Sequence, residues 1–184
     1  METLGYDSVW TSEHIFFYFP TFDALTSLAA MAARTTRIRL GTAVMLLPLR
    51  PAALAGGEYP KEFEAVGVPV GERGARADEA IRVMRLLYTQ DNVRFQGRFT
   101  WLDGVTLQPK PKQPGGPPIW VAGRSEAAMR RAGRLGDGYV PYLFSPERLR
   151  DGRAKVREHA ERAGRDPGAI TTGIYQFICL AETY

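Results

Sequence analysis

Apolar residues recur along the chain with two alternating periods. Gly5-Tyr6-Asp7-Ser8-Val9-Trp10 spells a short strand, and Asp23 is placed to cap a helix whose residues Leu25, Leu28, Ala29 and Ala32 keep helical spacing. Residues 37 to 47 read as a longer strand, nearly all apolar after Leu40, the pattern of a strand buried on both faces of a parallel sheet. Ala77, Ala80, Ile81, Met84, Leu87 and Tyr88 make the clearest amphipathic helix. Between 92 and 108 the rhythm breaks. Val93, Phe95, Phe99 and Trp101 alternate around Gln96-Gly97, and Asp103-Gly104 supplies a second turn, which predicts an antiparallel excursion. The pattern then resumes, as a Pro-rich stretch leads into a strand at 119–122 and Ser125 caps a helix that Gly136 ends. Residues 139–143 form a further strand, Ser145-Pro146 opens a helix ending near Gly164, and 170–180 is a last strand. Five parallel-strand candidates with helices between them predict an α/β fold in one domain over 1–184, with no internal repeat.

One junction breaks the scheme. Parallel neighbours need a crossover of a dozen or more residues, usually helical. Only Pro51 to Ala55 separate the strand that ends near Arg50 from Gly56-Gly57, and five residues extend at most about 18 Å. Either the two flanks do not belong to neighbouring parallel strands, or a helix and strand are missing here, with the stretch from Gly56 to Glu64 displaced or crossing the gap.

The 184 residues are 45% hydrophobic, ample for one core. No apolar run approaches the roughly 20 residues of a membrane span, and the start lacks signal-peptide character, so the expectation is a cytoplasmic protein. The single cysteine, Cys179, lies in an apolar run and reads as a core residue, and no metal site is expected. Net charge is +4, with acidic residues interleaved among the arginines. That pattern gives little support to nucleic acid binding and suits a small anionic ligand.

Three places carry candidate chemistry. Ser12-Glu13-His14 follows a strand directly, where an α/β barrel builds its active-site face. His14 there can hydrogen-bond a cofactor or move a proton, or equally can be a loop histidine bonded to backbone. Gly123-Arg124-Ser125 is a strand-to-helix junction. It offers backbone N–H groups and a guanidinium to an anion, although a plain helix cap explains Ser125 as well. Glu58 beside Gly56-Gly57 is either a ligand-facing carboxylate or an exposed turn residue. His159, in a helix rich in Arg and Glu, reads as a solvated surface residue.

The segments 4–14 (LGYDSVWTSEH), 35–55, 58–87, 95–113 and 117–139 (PPIWVAGRSEAAMRRAGRLGDGY) together resemble the luciferase-like monooxygenase superfamily, in its order, and within it the F420-dependent oxidoreductase branch. The resemblance implies a (β/α)8 TIM-barrel type of fold, incomplete here with about five of eight strands recognisable, and makes the excursion at 92–108 the family's insertion. It implies that Glu13 and His14 lie beside the deazaflavin ring and that Thr42, Ala43 and Val44 back it. By the same resemblance Glu58 lies near the substrate, and Gly123, Arg124 and Ser125 bind the cofactor phosphate. Family members carry a helix and a glycine-rich strand where this chain has Ala55-Gly56-Gly57, and extend beyond the stretches matching Leu4 and Tyr184.

The function so implied is an F420-dependent oxidoreductase passing hydride between the cofactor and a small organic substrate. The alternatives are an FMN-dependent monooxygenase served by a flavin reductase, and a non-catalytic barrel fragment. Implied partners are a small-molecule substrate and a second copy in a homodimer, with no membrane and no nucleic acid.

Overall fold

The computed structural model describes residues 2–12, 22–42, 60–65 and 67–176. The chain forms two compact units, Met1–Ala77 and Asp78–Tyr184.

In the first unit, strands β1 (Ser8–Thr11) and β2 (Arg39–Thr42) pair in parallel, from Ser8 opposite Arg39 to Thr11 opposite Thr42. Helix α1 (Ala24–Ala32) makes the crossover between them. Asp23 caps it as expected, its Oδ1 accepting the Thr26 N–H at 2.8 Å. The face expected to be apolar packs only at Leu28. Leu25, Ala29 and Ala32 are exposed, whereas Ala24 is fully buried and Ser27, Leu28 and Met31 are half-buried. An alanine-rich helix has little apolar contrast around its circumference, so the strip that covers β1 and β2 is chosen by the crossover geometry rather than by the sequence period. The Glu2 carboxylate ties the start of the unit to the loop before β2. It accepts the backbone N–H groups of Thr36, Arg37 and Ile38. The Ile38 bond, then that of Arg37, holds its carboxyl below the ordinary range.

The strand expected over 37–47 is β2 as far as Thr42. The rest of it, and the open junction with Gly56 to Tyr59, lie outside the described residues. Residues 60–64 of the stretch expected to be displaced belong to a short helix, α2 (Pro60–Ala65), that the sequence reading did not foresee. Phe63 is buried against Val68 and half-buried Val70.

Helix α3 (Arg73–Thr89) opens before the second unit and runs into it. It buries Ala77, Ala80 and Ile81 as expected, and Glu79 and Val83 in addition. Burial of Glu79 disfavours its charge, but N–H donation from Arg98 (2.8 Å) and Phe99 (2.9 Å) outweighs that, and its carboxyl lies below the ordinary range. The carboxylate thereby organises the turn between β3 (Val93–Gln96) and β4 (Trp101–Val105), the expected antiparallel excursion. Asp103-Gly104 is not a second turn. The register shifts between Val93/Val105 and Phe95/Leu102, so β4 carries one extra residue, and Gly104 at φ +68° takes the left-handed backbone that such a bulge requires.

The parallel sheet of this unit runs β5 (Trp120–Ala122), β6 (Gly138–Val140), β7 (Thr171–Thr172). Its crossovers are α4 (Glu126–Leu135) and α5 (Pro146–Arg162), and a bridge between Tyr142 and Tyr175 continues the ladder. Ser125 and Ser145 cap the helices through Ala128 N–H (3.2 Å) and Arg148 N–H (3.3 Å), and Gly164 closes α5 at φ +69°. Gly136 does end α4, but in extended backbone at φ −84°, not in a left-handed cap. The last strand is much shorter than expected within the described residues, and Cys179 lies outside them.

The core gathers Ile81, Val121, Met129, Ala132, Tyr139, Phe144, Val156, Ala160 and Ile170. Five parallel strands, each feeding a crossover or the next strand, make this an α/β fold of TIM-barrel type, incomplete among the described residues.

Helices α4 and α5 approach so closely that a Cβ on Gly133 would stand 2.5 Å from the Val156 carbonyl oxygen and 2.9 Å from the Ala160 nitrogen. Gly133→Ala should therefore destabilise by about 1–3 kcal/mol through overpacking, reversing the gain of about 1 kcal/mol that alanine gives in a helix. Gly152→Ala, whose Cβ would meet only the Phe144 ring at 3.3 Å and Tyr139 at 3.5 Å, should stay within about 1 kcal/mol of the parent. Denaturant unfolding of the two variants checks the contrast, and equal midpoints would show that the helices can move apart.

Candidate active site

Beyond the carboxyl end of β5 the chain turns at Gly123, with φ +129°, a backbone angle that L side chains rarely adopt. A Cβ there would meet that of Ala128 at 2.8 Å, so glycine lets the first turn of α4 tuck beneath the strand end. The N–H groups of Glu126 and Ala127 stand at the start of a ten-residue helix, where no preceding helical carbonyl is available, and the dipole adds about half a positive charge. The Ser125 side chain takes the next N–H, that of Ala128. Arg124 is exposed and lays its guanidinium over the Tyr142 ring, 4.3 Å from the centroid.

Two further groups fix this turn. The hydroxyl of Tyr139 donates to the Gly123 carbonyl at 3.0 Å from a fully buried ring. Burial, and then the negative charge of Glu126, push the Tyr139 phenol up to about 12. Glu126 is the first residue of α4, where its charge would repel an incoming anion. Its carboxylate is instead engaged by Lys155 Nζ at 2.6 Å and His159 Nε2 at 2.8 Å, both from α5. The Lys155 bond, then the His159 bond, keep that carboxyl below its usual range. His159 is thus not the solvated surface residue expected. Its side chain is 13% exposed, because the close approach of α4 and α5 covers the ring.

Thr42 ends β2 opposite Thr11 and, like Gly123, lies at the carboxyl end of a parallel strand. Glu13, His14, Ala43, Val44 and Glu58 lie outside the described residues. The sequence reading missed Tyr139, Tyr142 and the Glu126, Lys155, His159 cluster. Tyr139 reads as an apolar strand residue, and its hydroxyl meets Gly123 only when β5 and β6 pair. The cluster joins residues about thirty positions apart, with no local signature.

The luciferase-like monooxygenase profile matches residues 1–56 and again 53–184. The chain belongs to the luciferase-like monooxygenase family. The two family matches overlap at 53–56, by the junction where the sequence leaves too few residues for a crossover helix. Among similar proteins, the F420-dependent glucose-6-phosphate dehydrogenase of Kineococcus radiotolerans is 34% identical over 205 positions, covering 92% of this chain and 58% of that protein. That alignment is longer than the whole 184-residue chain, so the relative carries positions that this family member skips. The FMNH2-dependent dimethylsulfone monooxygenase of Pseudomonas putida is 29% identical, over 88% of this chain and 50% of its own length. The solved structure of the monooxygenase RslO1 from Streptomyces bottropensis superposes with a TM-score of 0.78 at 28% identity, over 92% of this chain and 60% of that one. The chain thus spans half to three fifths of the length of these family members. No helix among its described residues is long and apolar enough to cross a membrane.

A phenol raised to about 12 stabilises the fold fully below pH about 10, its unfolded value, and loses that contribution as pH rises toward 12. Ultraviolet difference titration should show a tyrosine step near pH 12, well above the others, and Tyr139→Phe should abolish that step. Smooth titration of every tyrosine near 10 would contradict the burial of the Tyr139 ring.

Proposed function

We propose that this chain is an F420-dependent oxidoreductase that passes hydride between the deazaflavin and a small organic substrate. The observation that carries the reading is the β5 to α4 turn. Gly123 gives close backbone approach, the α4 N–H groups face its end, Arg124 adds a cation braced on Tyr142, and the Glu126 carboxylate is engaged by Lys155 and His159. This donor set suits the phosphate of such a cofactor. Gly123, Arg124 and Ser125 would hold that phosphate, Thr42 with Ala43 and Val44 would back the ring, and Glu13 and His14 would lie beside it. Glu58 would face the substrate. When bound, the cofactor supplies the hydride chemistry. The chain's part is to orient the ring, and for His14 to hold or move a proton where the substrate reacts.

The FMNH2-dependent relative favours a second reading, a monooxygenase using FMN delivered by a flavin reductase, since the same turn suits its phosphate. The first reading rests on the higher identity of the F420-dependent relative. Titrating the purified chain with F420 and with FMN, followed by fluorescence, separates the two by which one binds. Binding of neither by a folded chain would favour a non-catalytic fragment.

Arg124→Ala should weaken binding of the preferred cofactor about tenfold, about 1.4 kcal/mol, the scale of one charge-assisted hydrogen bond at a surface site. An unchanged dissociation constant would return Arg124 to a role on Tyr142 alone.

His14→Ala should lower turnover by about 10²- to 10⁴-fold, with little change in unfolding midpoint. Turnover within about threefold of the parent would remove His14 from the chemistry.

A further inference from the structure

A second cationic site lies at the other end of the sheet. Helices α3 and α4 flank a groove of about 600 Å³ beside Asp137, at the amino end of β6, whereas the Gly123 turn follows the carboxyl end of β5. Its apolar lining is Ile81, Leu86, Phe95 and Leu135. The volume is that of a small-molecule site.

The charges around it do not cancel. Each acid of the seam is matched to its own cation, Asp78 to Arg131 and Asp137 to Arg85, and Asp137 also accepts the Ile119 N–H at 2.7 Å. Three further arginines, Arg82, Arg134 and Arg165, line the groove with no carboxylate partner among the described residues. The carbonyl ends of the two helices each offer about half a negative charge. They are already answered, that of α3 by Lys110 on the Leu87 and Gln90 carbonyls, and that of α4 by Arg165 on the Gly133 carbonyl at 2.7 Å. A surplus of two to three positive charges therefore faces an apolar lining, and like charges held together favour a bound counter-charge. A phosphate monoester carries about −1.5 to −2 near neutral pH and matches that surplus, with oxygens suited to guanidinium forks.

We propose that this groove binds a phosphate monoester with an apolar substituent. Arg82, Arg134 and Arg165 would hold the phosphate, and the substituent would lie on Phe95 and Leu135.

Phenyl phosphate is the probe, titrated into the whole chain by calorimetry, with inorganic phosphate and phenol as comparisons. Saturable binding of phenyl phosphate, tighter than either comparison and weakening as salt rises, is expected. The double variant R82A/R134A should weaken it at least tenfold, while R124A should leave it unchanged. Both arginines are exposed, so the fold should survive, and R134Q alone, checked by far-UV circular dichroism, serves if the double variant does not fold. Four results would each overturn the proposal: no saturable binding, equal affinity for inorganic phosphate, an undiminished affinity in the folded arginine variants, or loss of binding in R124A, which would place the probe at the Gly123 turn.

Discussion

The hydrogen bond from the buried Tyr139 hydroxyl to the Gly123 carbonyl is the contact on which the second unit turns. Its ring packs in the core with Val121, Met129 and Val156, and its hydroxyl ends at the backbone turn that opens the candidate anion site. A carbonyl held at this point fixes the direction of the next peptides, and so the start of α4. Glycine at 123 admits the φ of +129° that this turn takes, where an added Cβ would meet Ala128 at 2.8 Å. Core packing and site geometry are thus one construction here, because a single side chain belongs to both.

Electrostatics divides the unit's arginine-rich surface into matched and unmatched parts. At the amino end of α4 the carboxylate of Glu126 is drawn onto Lys155 and His159, leaving Arg124 and the helix N–H groups to set the local sign. Along the α3 and α4 seam, Asp78 and Asp137 serve as struts for Arg131 and Arg85. Such pairs position elements more than they stabilise them, since partly exposed ion pairs contribute about 1 kcal/mol or less. What they leave is functional potential: one cationic turn at the carboxyl end of the sheet and one cationic groove at its amino end.

The junction at 51–55 is a constraint of a different kind. Parallel strands cannot be joined by five residues, and the family profile matches the chain in two pieces that meet there. The alignment with the Kineococcus radiotolerans relative, longer than the whole chain, likewise shows positions that this family member skips.

Much of the local structure was legible in the sequence, because it is fixed by near neighbours. Asp23, Ser125 and Ser145-Pro146 marked helix starts through short-range cap chemistry, and the apolar run of α3 marked its buried side. The Gly123-Arg124-Ser125 turn was legible for the same reason. What failed was what depends on contacts distant in the chain. Asp103-Gly104 has the composition of a turn, yet strand pairing made it a bulge. The packed strip of α1 was selected by β1 and β2, and His159 was covered by the approach of α4 and α5. Local propensity names the residues that can cap, turn or bury. Only the pairing of strands and the distance between helices decided that Tyr139 would hold the site turn, that Glu126 would be neutralised, and that three arginines would face one groove, because those outcomes rest on side chains brought together from different elements of the chain.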